Sequence, residues 1–284
     1  MKVFYRPEQV GPAQHSSPSA HKPRLVVEDW IRRFGASIEV YNFEPVTEEQ
    51  IARAHQPDFV KGVLTGTVAN GFGNRDRKVA DSLAFTSGSM LAAAEYAVLH
   101  NEVVCSPTSG FHHAEYRNAG GYCTFNGLMV TALALKDAGL VNRVAILDCD
   151  AHYGNGTDSI INRLGIDWIE HYTQGREFGL AYNAANGAYE RWLGTAIERC
   201  KGCDVVLYQA GADPHIDDPL GGILTTAQMV ARDRRVFECL GHLPMVWNLA
   251  GGYQVVAGET EAEQIEPVLA LHRETARLHI EFFG

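Results

Sequence analysis

The 284-residue chain has no apolar run long enough to span a bilayer, so no membrane association is expected. Its first residues, MKVFYRPEQV, begin like a strand and not like a charged leader followed by an apolar stretch. No signal peptide and a cytoplasmic location are therefore expected. Positive charge is in deficit. With 24 Lys and Arg against 34 Asp and Glu, the net charge of −10 argues against a nucleic-acid partner and leaves cationic substrates open. The plainer use of an acidic surface is solubility. Cysteine is sparse: Cys105, Cys123, Cys149, Cys200, Cys203 and Cys239. Without an export signal they are expected to be reduced. Cys200 and Cys203 form a lone CxxC, and a zinc ribbon needs a second pair. The pair ends a helix-like segment far from the His and Asp clusters, so it reads as structural or incidental. There is no internal repeat and no linker-like shift in composition, so residues 1–284 are expected to form a single domain.

Four short hydrophobic runs each stop at a polar cluster. EVVCSPTSGFHH ends at His112 and His113, and RVAILDCDAH at Asp148, Asp150 and His152. CDVVLYQAGAD ends at Asp213 and MVWNLAGGY at Tyr253. Each run has the length and β-branched content of a buried strand. Between them lie helix-like segments. One covers PRLVVEDWIRRFG, with Leu25, Val26, Trp30 and Ile31 apolar and a stop at Gly35. Others are ADSLAFTSGSMLAAAEYAVLH, Phe125 to Ala138, GAYERWLGTAIERC, TAQMVARDRRVFECLG, and Thr260 to His279. Thr47 and Gln50 have capping-box spacing. SIEVYNF reads as a strand, and the N-terminal Pro-rich stretch as an ordered loop. TGTVANGFGNRDRK is a long Gly/Asn-rich loop of the kind that lines binding sites. Alternating strands and helices predict an α/β fold: a three-layer α/β/α arrangement with a mainly parallel sheet. In such sheets ligands collect beyond the carboxyl ends of the strands.

Asp150 and His152 are two residues apart at a strand end, so their side chains point the same way. Asp213 arrives from another strand. One His and two Asp suit Zn²⁺, Fe²⁺ or Mn²⁺, and three protein ligands leave room for water and substrate. Asp148 faces the same side, either as an acceptor behind the ligands or as the holder of a second cation. His112 and His113 can reach one site from a loop and exchange protons there. Each needs a partner on its other nitrogen, with Asp148 and Asn155 nearest in the motifs. Tyr253 follows a Gly-Gly pair that allows close approach, and its phenol can donate to an oxyanion. His55, His100, His242, His272 and His279 are expected at the surface or at helix ends. His171 and His215 are left open between site and scaffold.

SGFHHAEY, GGYCTFNG, LDCDAHYGNGT, GADPHIDDPLGG and LAGGY resemble, in the same order, the signature blocks of the histone deacetylase superfamily, which includes acetylpolyamine amidohydrolases and acetoin-utilisation proteins. The blocks cover about residues 105 to 255. The resemblance implies an arginase–deacetylase fold and zinc-dependent amide hydrolysis, with one Zn²⁺ held by Asp150, His152 and Asp213. It implies His113 as general base and acid, His112 as its electrostatic partner, Asp148 behind His112, and Tyr253 on the acyl carbonyl. It places Phe111, Tyr122 and Leu220 in an acyl-lysine channel, Gly121 at the substrate, Asn155 behind His113, and Arg24 at an arginine near the acetate exit. It also implies a monovalent cation, K⁺, near Asp148. The chain departs from the pattern at Tyr153, where many members have a second His. Asn155 stands where some have Asp, and Ala250 where many have Gly. The segment from His171 to Asp213 is shorter than usual and lacks a Gly-rich run.

The expected function is hydrolysis of an N-acyl amine, either acyl-lysine in a protein or an acyl-alkylamine. An acetylpolyamine amidohydrolase, an arginase-like manganese enzyme and a non-catalytic metal- or partner-binding module are the alternatives.

Overall fold

A computed structural model describes residues 1–12, 17–178 and 187–284. Seven strands form one sheet: β1 Lys2–Phe4, β2 Glu39–Tyr41, β3 Val103–Cys105, β4 Val144–Asp148, β5 Ile169–Thr173, β6 Val205–Gln209 and β7 Met245–Asn248. Their order is β2-β1-β3-β7-β6-β4-β5, and every pairing is parallel. The three-layer arrangement with helices on both faces is thus present. Strands β3, β4, β6 and β7 are buried throughout, as parallel strands covered on both faces must be, which is why they read as unbroken apolar runs.

Alternate residues of these strands feed two cores. Ala145, Leu147, Val206, Tyr208, Met245 and Trp247 face one layer, and Val144, Ile146, Val205, Leu207 and Val246 the other. The helices are α1 Lys22–Phe34, α2 Glu48–Ala54, α3 Pro57–Leu64, α4 Arg77–His100, α5 Gly127–Asp137, α6 Asn155–Leu164, α7 Gln174–Phe178, α8 Ala188–Cys200, α9 Thr226–Leu240, α10 Glu261–Gln264 and α11 Glu266–Phe283. The core on the first face packs α1, α8, α9 and α11, with Trp30 against Trp247 at 5.5 Å between ring centroids. The second face packs α2 to α6.

Local signals account for several boundaries. Thr47 Oγ1 accepts from Gln50 N at 3.2 Å and Gln50 Oε1 from Thr47 N at 2.8 Å, the expected capping box of α2. Gly35 ends α1 at φ +52°. Three expectations are corrected. Ile31 is 46% exposed, because the buried face of α1 runs through Leu25, Val26, Val27 and Trp30. The C-terminal segment is two helices, since Thr260 caps the short α10 and α11 starts afresh with Pro267 in its first turn. The edge strand β5, mostly half-buried, and the short α7 are elements that no sequence expectation covered. His55, His272 and His279 are buried, while His100 and His242 are exposed as expected. His55 Nδ1 lies 2.9 Å from the Glu115 carbonyl and its Nε2 accepts from Asn126 N, so helix-end polarity is used inside the fold. His279 Nδ1 accepts from Trp247 Nε1 at 2.9 Å. Of the N-terminal loop, residues 13–16 lie outside the described residues, and Pro7–Gln9 and Pro18–Ala20 are short 3-10 turns. All six cysteines are free, and Cys200 and Cys203 are buried where α8 turns into β6.

Burial pulls His55 from its ordinary value of 6.5 to about 4 and His279 to about 3. A group held neutral in the fold binds fewer protons there than in the unfolded chain, so its contribution is complete above 6.5 and is lost as pH falls toward those values. Urea midpoints of the metal-free protein should therefore drop steadily from pH 7 to pH 4. His279→Gln keeps an acceptor for Trp247 but cannot be protonated, and should flatten that slope. An unchanged slope would remove His279 from the acid lability.

Candidate active site

The sheet register aligns the carboxyl ends of three strands. Asp148 pairs with Gln209, and Gln209 with Asn248. The chain leaves each strand on the same edge, and ladder-like bonds continue beyond it: Cys149 N to Gln209 O at 3.0 Å, Ala210 N to Asn248 O at 3.0 Å and Ala212 N to Gly251 O at 3.2 Å. This extension holds Asp150, His152 and Asp213 together, with one potential ligand atom from each within 4.8 Å of the others. His152 Nδ1 lies 3.0 Å from Asp150 Oδ1 and 2.8 Å from Asp213 Oδ2. The second oxygens are fixed by backbone: Gly251 N donates to Asp150 Oδ2 at 2.9 Å, and Ala151 N to Asp213 Oδ1 at 3.1 Å. Gly251 admits no side chain, since a Cβ would stand 2.4 Å from the Asp213 carboxyl carbon.

Both carboxylates are buried, which is costly without a cation. Burial opposes ionisation at Asp150, but His112 and His152 outweigh it and hold the carboxyl well below the usual range. At Asp213, burial and the Asp150 charge push the carboxyl up to about 8. Burial also opposes the His152 imidazolium, yet the two carboxylates raise it to about 11. Two carboxylates and one imidazole are a borderline-to-hard donor set that fits a divalent transition metal with positions left open.

His112 and His113 stand beside this cluster with rings 4.2 Å apart. His112 Nδ1 lies 2.8 Å from Asp148 Oδ2, and Gln209 Nε2 donates to the other Asp148 oxygen at 2.8 Å. Despite desolvation, Asp148 and Asp150 raise His112 to about 9. His113 Nδ1 lies 2.6 Å from Asn155 Oδ1. Burial, helped by the His112 charge, lowers His113 to about 4. The start of α6 pins the pair, because Gly156 N and Thr157 N donate to the His112 carbonyl at 2.8 and 3.2 Å. Adjacent imidazoles are thus pushed in opposite directions. Tyr253 closes the other side, with its ring 6.2 Å from His152 and 6.0 Å from Tyr122. Burial raises its phenol well above the ordinary value, which keeps it a neutral donor. Its backbone N donates to Asp218 Oδ2 at 2.7 Å.

The substrate-side residues separate. Phe111 and Tyr122 border one cavity with Phe72, Cys123 and Phe125. Phe72 comes from the long loop after α3. Phe111 is buried with its ring against Gly127, whose Cβ would meet it at 2.5 Å. Gly121, at φ +53°, lies flat on the His113 ring, where a Cβ would stand 2.4 Å away. Leu220 is 41% exposed and does not line that cavity. Residues 179–186, within the short segment after His171, lie outside the described residues.

Neither open histidine joins the cluster. His171 Nδ1 bonds Asp158 at 2.7 Å, one layer behind Gly154. His215 Nε2 bonds Thr226 at 2.9 Å and supports the loop before Leu220. Arg24 lies partly exposed, paired with Glu28 and Glu261. The buried cation is Lys22, whose Nζ donates to the Ala250 and Gly251 carbonyls. Burial lowers its ammonium to about 8. Ala250, at φ +50°, accepts this bond from the left-handed region. Sequence reasoning also missed Arg232. This buried residue donates to the Cys149 carbonyl at 3.2 Å and the Gly211 carbonyl at 2.7 Å, tying together the two loops that carry Asp150 and Asp213. No local pattern marks it within ARDRR. Gln209, the polar end of an apolar run, was detectable.

Comparison with known proteins is consistent with this geometry. The family model described as the histone deacetylase domain matches residues 19–166, just over half of the chain. Histone deacetylase 10, chloroplastic, of Oryza sativa subsp. japonica is 25% identical, over 77% of this chain and 60% of that protein. Acetylpolyamine amidohydrolase 2 of Pseudomonas aeruginosa is 29% identical, over 61% of this chain and 58% of that protein. The chain thus spans less than two thirds of either relative. The crystal structure of an acetylpolyamine aminohydrolase from Burkholderia pseudomallei superposes with a TM-score of 0.75 over all of both chains at 18% identity, which establishes the arginase–deacetylase fold. The chain belongs to the histone deacetylase domain family.

Proposed function

We propose that this chain is a zinc-dependent deacylase that hydrolyses an N-acyl amine to a carboxylate and a free amine. The observation that carries this reading is the convergence of Asp150, His152 and Asp213 beside two histidines of opposed proton affinity. In it, Asp150, His152 and Asp213 hold one Zn²⁺, and residues 1–284 act as a single catalytic domain. When bound, zinc supplies Lewis acidity that polarises the acyl carbonyl and acidifies a water molecule. His113 accepts the proton from the attacking water at Nε2 and returns it to the leaving amine. His112, kept charged by Asp148, steadies the negative charge that builds during attack. Tyr253 donates its phenol hydrogen to the acyl oxygen. Phe111, Gly121, Tyr122 and Leu220 contact the substrate, with Asn155 holding His113.

For the amine, we favour acyl-lysine in a protein or a similar acyl-alkylamine over a polyamine, because the apolar Leu220 offers no ion pair to a second amine. A cationic remainder suits the net charge of −10. An arginase-like two-metal reading is weaker. Among the described residues, one cluster of metal-capable groups is found, and it includes only two carboxylates. A non-catalytic binding module would leave the paired histidines without a purpose. A K⁺ near Asp148 is part of the same reading, supported by the buried Gln174 side chain. Its amide N and O have no hydrogen-bond partner, on a segment whose Gly175 abuts the His152 carbonyl. A cytoplasmic location is retained as well. Among the described residues, no helix is long and apolar enough to cross a membrane.

Asp213→Asn keeps the acceptor for Ala151 N but removes the charge, and should abolish Zn²⁺ binding in calorimetry while the fold survives. In the wild type, zinc uptake at pH 7 should release protons from both His152 and Asp213, measurable as a dependence of the heat on buffer ionisation. Full zinc occupancy in the variant would refute the ligand assignment.

Tyr253→Phe should retain zinc and lose roughly 10²–10³ in kcat, as removal of an oxyanion donor typically does. Near-normal turnover would remove the tyrosine from the chemistry. The substrate is decided by kcat/KM for an acetyl-lysine peptide against acetylputrescine and acetylspermidine. A polyamine preference above about tenfold, equivalent to about 1.4 kcal/mol, would place the polyamine ahead of acyl-lysine.

A further inference from the structure

The amide behind His113 is not the end of its chain of hydrogen bonds. Asn155 Oδ1 faces His113 Nδ1 at 2.6 Å, and Asn155 Nδ2 donates to Glu115 Oε1 at 3.0 Å. Asn118 Nδ2 donates to the other oxygen, Glu115 Oε2, at 3.1 Å. The Glu115 backbone is fixed as well, since its N donates to Asn118 O at 2.9 Å and its carbonyl meets His55 Nδ1 at 2.9 Å. Glu115 is half-buried and borders the same cleft as His113, Asn155 and Gly121. Among the described residues its carboxylate hydrogen-bonds two side-chain amides and forms no ion pair.

We propose that Glu115 is a positioning carboxylate that acts on His113 through Asn155, forming a Glu–Asn–His relay; the idea rests on the acid–base role of His113 in the deacylase reading. A carboxylate only accepts, so Glu115 turns the Asn155 NH₂ toward itself and the Asn155 carbonyl toward His113. That carbonyl also only accepts, so the ring hydrogen sits on Nδ1 and Nε2 keeps its lone pair for the attacking water. When His113 takes the proton, the imidazolium is met by an amide polarised from behind by a full charge. His112 has the direct version, with Asp148 at 2.8 Å. The two histidines therefore differ by one inserted amide. The nearer carboxylate favours a standing charge, and the remote one favours a ring that gains and loses its proton each cycle.

The test moves the carboxylate. Glu115→Gln, Asn155→Asp and the double variant are compared with wild type for kcat, KM and zinc content on the most active acyl-amine. The tautomer of His113 is read by ¹⁵N NMR of the metal-free chain. Glu115→Gln should lower kcat about tenfold with KM and zinc unchanged, part of the usual general acid–base contribution, and should mix the tautomers. Asn155→Asp alone places two carboxylates within hydrogen-bonding distance and should also be impaired. The double variant puts the charge directly on His113 with a Gln amide donating to it, and should recover to within about threefold of wild type. A Glu115→Gln kcat equal to wild type, or losses that add in the double variant, would overturn the relay. Should no acyl-amine be turned over by wild type, the deacylase reading fails by itself. The His113 tautomer in wild type against Glu115→Gln then decides the relay: an Nδ1–H form lost in the variant supports it, and identical spectra sink it.

Discussion

Two carboxylates buried side by side, Asp150 and Asp213, set the terms for the rest of the structure. Neither is exposed, and both point at His152. Such a pair is tolerable only with positive charge close by and with its remaining lone pairs satisfied. The surroundings supply both. The Gly251 and Ala151 amides take one oxygen each. Lys22 is sunk wholly into the protein under the Ala250–Gly251 turn, and His112, raised to about 9, has its Nε2 3.7 Å from Asp150 Oδ1. The demand for close approach also explains the glycines. Gly251 and Gly211 lie where any Cβ would press on the carboxylates or their backbone.

Rigidity comes from the sheet and from one helix behind it. The register places Asp148, Gln209 and Asn248 in a row, and the ladder continues past the strand ends into the loops. Arg232 of α9 then bonds the carbonyls of both loops that carry Asp150 and Asp213, while Asp233 accepts from Arg232 Nε, Tyr208 OH and Thr275 Oγ1. The geometry at the sheet edge is thereby fixed by the core on one face. A loop-borne cluster held this way loses little entropy when a ligand or cation arrives.

The sequence made the central features legible because they obey local rules. Buried parallel strands read as apolar runs, and polar residues just past them fall on one edge, so Asp148, Asp150, His152, Asp213 and Tyr253 were placed from pattern alone. β5 was missed because edge strands are only half-buried and Ile-Glu-His-Tyr-Thr alternates. The burial of His55, His272 and His279 was misjudged because nothing local distinguishes a helix-end histidine facing water from one facing a core. Lys22 and Arg232 were invisible for a stronger reason. The bonds that tie them to the site go to backbone carbonyls, which have no residue identity and lie 228 and 83 positions away. Charged residues that bond distant backbone leave no trace in periodicity.

The same limit explains what looked like a defect. Asn155 stands where some members of the family have Asp, and a neutral amide by itself stabilises an imidazolium less than a carboxylate does. In the fold, a carboxylate is present one hydrogen bond further on, in Glu115, two residues from the histidine it serves. Charge around a reacting group is set by the connected network and not by the identity of its first partner. The contrast between His112 and His113 follows from that rule. Both stand close to Asp150, yet one is raised to about 9 and the other lowered to about 4. Direct contact with Asp148 supplies the first shift. Burial and the charge on His112 itself supply the second. Charging one imidazole thus helps keep its neighbour neutral, and a neutral ring that can briefly accept a proton is what the proposed amide hydrolysis requires.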